Sequence, residues 1–339
     1  MTQEGESSFR GTQLGKWIYE KAVTDFALMK DLPGPLRQKL AETTKVSPLQ
    51  VASHRTSVDK VEKLLVHNGD EQVYECVLLP YEDRVSSCIS SQVGCPMGCT
   101  FCATGLGGFD RNLTAGEIVG QYLLLQGLSK RRISHVVFMG MGEPLLNYDN
   151  VVKSLRILQE EIGLSYRHLT VSTVGLVPQI IKLAGEKLPI HLALSLHSPI
   201  DEIRSRLMPV NQKWGVREVI TAMRQYQQAT GRKITIEYLL IDNVNDSERE
   251  AELLAKYLRG TPSVVNLIPF NYVNTEQGFQ RPTKERVRAF RQTLASHGVN
   301  VTERVERGHD IAAACGQLAG QHTGRFARRE NLSNVPQSS

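Results

Sequence analysis

The chain has 339 residues, 41% hydrophobic and 22% charged, with a net charge of +5. These are ordinary proportions for a globular protein with a sizeable core, and the charge permits a polyanionic partner without demanding one. No run of about 18 apolar residues is present, so no transmembrane helix and no membrane partner are expected. The N-terminal stretch MTQEGESSFRGTQLGKW lacks the apolar centre of a secretory leader, which makes the cytoplasm the expected location.

Residues from about 8 to 50 read as helical. QLGKWIYEKAV carries apolar residues at helical spacing, and Leu36 to Glu42 continues the pattern after Pro35. From about 58 to 80 the pattern is that of short strands, VEKLLVH and VYECVLLP, parted by an Asn-Gly-Asp turn. From about 85 onward, apolar β-branched runs alternate with amphipathic ones. The expected strands are VSSCISSQV, SHVVFMGM, HLTVSTVG, PIHLALSLH, KITIEYLLI and VVNLIPF. Helices are expected between them at about 114–128, 149–162, 178–187, 201–206 with 216–230, and 246–259. A last helix, about 283–297, precedes VNVTERVE. Six strands alternating with helices imply right-handed crossovers and a parallel sheet. The fold class is therefore α/β, a partial barrel rather than an eight-fold one, with its chemistry at the C-terminal strand ends. The final 20 residues, rich in Ser, Asn, Gln and Arg, read as a frayed tail.

Basic residues are unevenly spread. Gln277 to His309 carries seven Lys/Arg against three Glu; Lys130, Arg131 and Arg132 form a second knot, and Arg325, Arg328 and Arg329 a third. Each is either a solvated face or a phosphate-contacting surface. Six cysteines are present, Cys76, Cys88, Cys95, Cys99, Cys102 and Cys315. With no leader and a chain of this length, metal binding or catalysis is the better reading than disulfides.

The densest chemistry is Cys95-Pro-Met-Gly-Cys99-Thr-Phe-Cys102, in a loop after the first barrel-type strand. Two readings compete. Structural zinc needs four ligands and usually shows a second Cys-x-x-Cys knuckle; none is present, so Cys88 or Cys315 would have to serve as a distant ligand. Alternatively the three thiolates hold an iron–sulfur cubane, leaving one of its four irons open to a substrate.

Cys-x3-Cys-x2-Cys with an aromatic residue before the third cysteine resembles the signature of the radical S-adenosylmethionine (SAM) superfamily. The resemblance implies a [4Fe–4S] cluster on Cys95, Cys99 and Cys102 whose open iron chelates SAM, and one-electron cleavage of SAM to methionine and a 5′-deoxyadenosyl radical. Gly140-Met141-Gly142-Glu143-Pro144, after the second strand, is similar to a second superfamily mark. Its small residues allow close backbone approach to a ligand, and the Glu143 carboxylate can accept hydrogen bonds from the SAM ammonium.

The stretches SSQVGCPMGCTFCATG, GMGEPLLNYDNV, TVSTVGLVP, LALSLH, NLIPFN and RGHDIAAACGQLAG together resemble the RlmN/Cfr family of RNA adenine methyltransferases. The resemblance divides the chain into a helical accessory domain (1–57), a β extension (58–84), the radical SAM partial barrel (85–298), and a C-terminal strand, cysteine loop and basic tail (299–339). Overall similarity points to the RlmN branch, which methylates adenine C2, over the Cfr branch, which methylates C8. The substrates implied are 23S rRNA and the tRNA adenosine 3′ of the anticodon. A monomer served by a one-electron donor such as flavodoxin is also implied.

Carried position by position, Cys315 matches the cysteine that becomes S-methylated, Cys88 the resolving cysteine, and Glu75 the general base. Gly142, Glu143, Ser172, Ser195, Leu196, His197 and Asn271 match SAM-contacting positions. The implied reaction uses two SAM per turnover. One methylates Cys315, and radical chemistry from the other joins that methyl carbon to the base. Glu75 removes a proton, and Cys88 then forms a disulfide with Cys315 that releases the product. Cys76 matches no family part and reads as a buried apolar filler; His135 reads as a strand-start residue without chemistry. Two rivals are a different radical SAM reaction, such as methylthiolation, and a zinc-stabilised RNA-binding protein.

Overall fold

The computed structural model describes residues 6–47, 49–69, 71–273 and 277–318. Arg325, Arg328 and Arg329 lie outside the described residues. Helices α1 (Ser8–Gly15) and α2 (Gly34–Thr43) surround a small apolar cluster of Phe26, Met29, Leu32, Leu36 and Leu40. α2 stops at Thr43, short of the expected helical limit near 50, and Gln50–Thr56, which the sequence reading placed in the helical accessory domain, forms a strand, β1. Its sequence, QVASHRT, gave no signal: it is an almost wholly exposed edge strand, set by antiparallel pairing with β2 (Glu62–His67). Strands β3 (Tyr74–Pro80) and β4 (Val85–Cys88) continue the antiparallel run.

The remainder is a βα succession. In chain order it comprises β5 (Gln92–Gly94), α3 (Ala103–Leu106), β6 (Phe109–Asn112), α4 (Ala115–Leu128), β7 (His135–Phe138) and α5 (Tyr148–Glu160). There follow β8 (Leu169–Thr173), α6 (Val177–Gly185), β9 (His191–Ser195), α7 (Asp201–Leu207), α8 (Val216–Thr230) and β10 (Ile234–Leu240). The succession closes with α9 (Glu248–Leu258), β11 (Ser263–Pro269), α10 (Lys284–Ser296) and β12 (Asn300–Glu303). One ten-stranded sheet runs β1-β2-β3-β4-β7-β8-β9-β10-β11-β12, parallel from β4 onward. The expected α/β partial barrel is therefore present, with β12 extending its parallel edge.

The expected single strand VSSCISSQV is broken. β4 ends at Cys88, and β5 pairs instead with β6 in a separate hairpin. At the break, the Gln121 side chain replaces a strand partner: its Oε1 accepts the Ser90 N–H at 2.8 Å and its Nε2 donates to the Ser90 carbonyl at 2.9 Å. No helix among the described residues is long and apolar enough to cross a membrane.

Register decides which side chains meet. Successive strand residues alternate faces. Val136, Phe138, Val171, Leu192, Leu194, Ile236, Tyr238, Val265 and Leu267 are buried in the core cluster with residues of α4, α5, α6, α8, α9 and α10. The opposite parity, traced through paired residues, runs Glu75, Val77, Cys88, Val137, Thr170, Ser172, Ala193, Ser195, Glu237, Asn266 and Thr302. That inner face holds most of the polar side chains these strands contribute.

Most of the basic clusters serve the fold. Arg281, Arg286, Arg304 and Arg307 face Glu306, Asp246, Glu237 and Asp59. Arg131 and Arg132 donate to backbone carbonyls of Tyr81, Glu82, Ile162 and Gly163. Lys284, Arg288 and Arg291 stay exposed along α10.

Candidate active site

The cysteine loop is shaped by glycines. Gly94 has φ +74°, and a Cβ there would lie 2.1 Å from the Gly108 carbonyl oxygen; the Cys95 N–H donates to that same oxygen at 2.7 Å. A Cβ on Gly105 would lie 3.0 Å from the Cys99 nitrogen. The loop therefore folds back on itself above β5–β6 and turns all three thiols into one cavity. Its lining includes Cys95, Cys99, Cys102, Glu143, Ser172, Ser195, His197, Asn271 and Cys315. All three thiols are free. Burial pushes each of them up in pKa, Cys95 to about 12, and the neighbouring thiols reinforce the rise. A metal centre bound there would deprotonate the thiols outright. A soft all-thiolate donor set suits iron–sulfur or zinc. Three cysteines lining one shared cavity are a donor set that fits an iron–sulfur cluster.

Gly142 and Glu143 also line this cavity, with a difference from the sequence reading. Gly142, at φ +102°, is required by a protein contact: a Cβ would lie 2.6 Å from the Gln92 Cβ. Glu143 is buried, and its oxygens accept the N–H groups of Leu145 at 3.0 Å and Val174 at 2.9 Å. Burial still pushes its pKa to about 7, with these hydrogen bonds pulling the other way. A ligand ammonium in the cavity would favour the carboxylate.

Ser172 and Ser195 stand with Oγ atoms 3.3 Å apart on the inner face. His197 has φ +58° and accepts the Leu239 N–H on Nδ1 at 2.9 Å. Burial lowers its pKa to about 3, so it is a neutral ring with its proton on Nε2. Leu196 does not line the cavity: it is wholly buried, its N–H donates to the Glu237 carbonyl and its own carbonyl accepts Arg204. Asn271 Nδ2 donates to the Cys315 carbonyl at 3.1 Å, holding the cysteine loop as well as lining the cavity.

Cys315 borders a second cavity that includes Val77, Leu79, Cys88, Met139 and Arg304. It thus stands between the three-thiol site and Cys88. Burial and then the Cys315 charge push Cys88 up to about 12, while Arg304 pulls it down. Glu75 lines neither cavity, but its side chain shares a strand face with Val77, which pairs with Cys88. Its Oε1 lies 2.9 Å from Lys63 Nζ. Cys76 is wholly buried with its pKa raised, as a filler would be. His135 begins β7 and stacks on His168.

Sequence reasoning missed Arg304, Glu237, Lys63 and Arg204. Glu237 had a signal, a lone charge inside an apolar run, whereas Lys63 adjoins Glu62 at the start of its strand and did not stand out. Arg204, fully buried, donates to the carbonyls of Val174 at 2.6 Å, Leu196 at 3.0 Å and Ser195 at 3.3 Å, and to Asn211 Oδ1 at 2.7 Å. It ties together the ends of β8 and β9 that carry Ser172, Ser195 and His197. Arg204→Leu is expected to cost at least about 3 kcal/mol, since each buried acceptor left without a donor costs about 1–3 kcal/mol. Urea unfolding monitored by circular dichroism checks this; an unchanged midpoint would refute it.

The Radical SAM superfamily profile matches residues 89–254, and that of the ribosomal RNA large subunit methyltransferase N-terminal domain matches residues 1–46. The probable dual-specificity RNA methyltransferase RlmN of Symbiobacterium thermophilum is 47% identical over 337 residues, covering 96% of this chain and 90% of that protein. The Bacillus licheniformis protein of the same description is 46% identical, covering 94% of this chain and 89% of that one. The crystal structure of a radical SAM methyltransferase from Sphaerobacter thermophilus superposes with a TM-score of 0.91 at 44% identity, covering 94% of this chain and 95% of that one.

Proposed function

Because the chain belongs to the RlmN family of radical SAM RNA methyltransferases, we propose that it methylates carbon 2 of an adenosine in 23S rRNA and of the tRNA adenosine 3′ of the anticodon. Its cofactors are a [4Fe–4S] cluster and SAM. The observation that carries the reading is the place of Cys315, which borders both the cavity of the three thiols and the cavity of Cys88. A sulfur there can receive a carbon on one side and release it on the other.

Cys95, Cys99 and Cys102 would hold the cluster, and Gly142, Glu143, Ser172, Ser195, His197 and Asn271 would face SAM. When bound, these cofactors supply the methyl group and the one-electron chemistry that an electron-poor ring carbon needs, since that carbon does not attack a sulfonium methyl. Cys315 carries the incoming carbon as a thioether. Glu75 accepts the ring proton, and the single electron lost with it would be taken up by the one-electron chemistry that the bound cofactors supply. The Cys88 thiolate attacks the Cys315 sulfur; the sulfur–sulfur bond forms as the sulfur–carbon bond breaks, and the released carbon takes that electron pair and a proton. A thiol reductant resets the disulfide, and a one-electron donor such as flavodoxin serves the cluster. The adenine enters its pocket unstacked, as in other enzymes that modify bases.

Reconstituted protein incubated with 23S rRNA and tRNA, followed by nucleoside mass spectrometry, is expected to give 2-methyladenosine in both. 8-Methyladenosine would transfer the chain to the Cfr type of reaction, and no methylated adenosine in either RNA would refute the reading.

A further inference from the structure

Lys63, the second residue of β2, is a buried lysine, 6% exposed. An ammonium at that depth persists only when paired and hydrogen-bonded. Its Nζ lies 2.9 Å from Glu75 Oε1 and donates to the Ala312 carbonyl at 3.1 Å. Ala312 is three residues before Cys315 and has φ +51°, a left-handed conformation that its neighbours must enforce.

Those neighbours belong to the β1–β2 hairpin. Arg307 Nε and the Gly308 N–H donate to Asp59 Oδ2 at 3.3 and 3.1 Å. Asp310 accepts from the Ser57 hydroxyl and from the Val58 N–H. A Cβ on Gly308 would lie 2.9 Å from Val61 Cγ1. The hairpin thus clamps the segment leading to Cys315 at several points, and Lys63 adds a branch to Glu75. Register puts that branch on the reacting face. Lys63 pairs with Val77, and Val77 pairs with Cys88; side chains of paired residues share a face, and Glu75 shares it two residues along.

We propose that Lys63 is a positioning residue that locks the Glu75 carboxylate and the Cys315 loop into one unit, so that proton acceptor and methyl-bearing sulfur keep a fixed separation across the adenine. The inference rests on Glu75 being the base. A displacement of about 1 Å in such a pair is enough to cost roughly 10²-fold in rate. Lys63 reaches both partners with a compact three-donor ammonium. Methionine retains an unbranched stem of similar volume and removes only the charge and the donors.

The test compares Lys63→Met, Glu75→Gln and the double variant, with thermal unfolding and iron and sulfide content confirming that each is folded and loaded. Two readouts are taken: methylated adenosine per unit time, and protein–RNA adduct surviving a denaturing gel. Lys63→Met is expected to lose roughly 10²-fold in turnover and to accumulate the adduct, the outcome expected of Glu75→Gln as well. The double variant is expected to be no slower than Glu75→Gln, because two residues acting through one group are not additive. Near-normal turnover in Lys63→Met beside a stalled Glu75→Gln, or losses that multiply in the double variant, would overturn the role of Lys63 alone. Normal turnover in Glu75→Gln would remove the base and Lys63 together. Should Lys63→Met not fold, Lys63→Arg decides: it keeps a positive donor and is expected to turn over without adduct, and a folded Lys63→Arg that stalls would refute the proposal.

Discussion

Cys315→Ala is expected to abolish methyl transfer while leaving the fold and the three-thiol site intact. The loop around Cys315 is held by its backbone. The Cys315 carbonyl accepts from Asn271, and the Gly316 carbonyl accepts the Ala103 N–H at 2.8 Å. Removing one half-buried sulfur disturbs neither bond, so stability should change by no more than about 0.5–1 kcal/mol. The chemical effect is of another order. Cys315 borders both cavities, and a methyl side chain offers no sulfur to carry the carbon. A loss of at least about 10⁴-fold, or roughly 5.4 kcal/mol of barrier at 1.36 kcal/mol per decade, is expected. Nucleoside mass spectrometry measures the product, and iron and sulfide content with circular dichroism measure what remains. Product formed at a comparable rate by Cys315→Ala would end the reading in which this sulfur carries the methyl group.

Much of this arrangement was legible in the sequence, for a physical reason. Parallel strands covered on both faces read as largely apolar runs, and amphipathic helices show one apolar stripe, so the alternation from about 85 onward carried the barrel. The three thiols were legible because they are local, within eight residues. What was hidden depends on partners distant in the chain. β1 is polar and exposed and exists because β2 offers it an edge. The break after Cys88 depends on Gln121, 31 residues beyond Ser90. Gly142 seemed free for a ligand, but Gln92 fills the space its missing Cβ leaves. The basic run from Gln277 to His309 read as either a solvated face or a phosphate-contacting one, yet four of its arginines hold carboxylates. Arg304 is the plainest case. It lies just past β12, and only the register that places Thr302 beside Asn266 and Glu237 brings it to Cys88 and Cys315.

Cys88→Ala is expected to trap the reaction half-way, so that the purified variant carries RNA covalently on Cys315. In the resting enzyme Cys88 is a poor nucleophile. Burial, and next the charge of Cys315, hold its pKa near 12, so only about one part in 10⁵ is thiolate at pH 7. Arg304, which pulls the Cys88 pKa down, borders the same cavity and favours the attacking thiolate. Two results follow. Cys88→Ala should retain RNA on a denaturing gel, with the linkage mapped to Cys315 by peptide mass spectrometry. In the wild-type enzyme, decay of the same adduct should accelerate as pH rises, because the thiolate is the attacking form and its fraction grows about tenfold per unit below the pKa. RNA-free Cys88→Ala bearing only S-methylated Cys315, or an adduct that decays no faster at pH 9 than at pH 7, would take the resolving role away from Cys88.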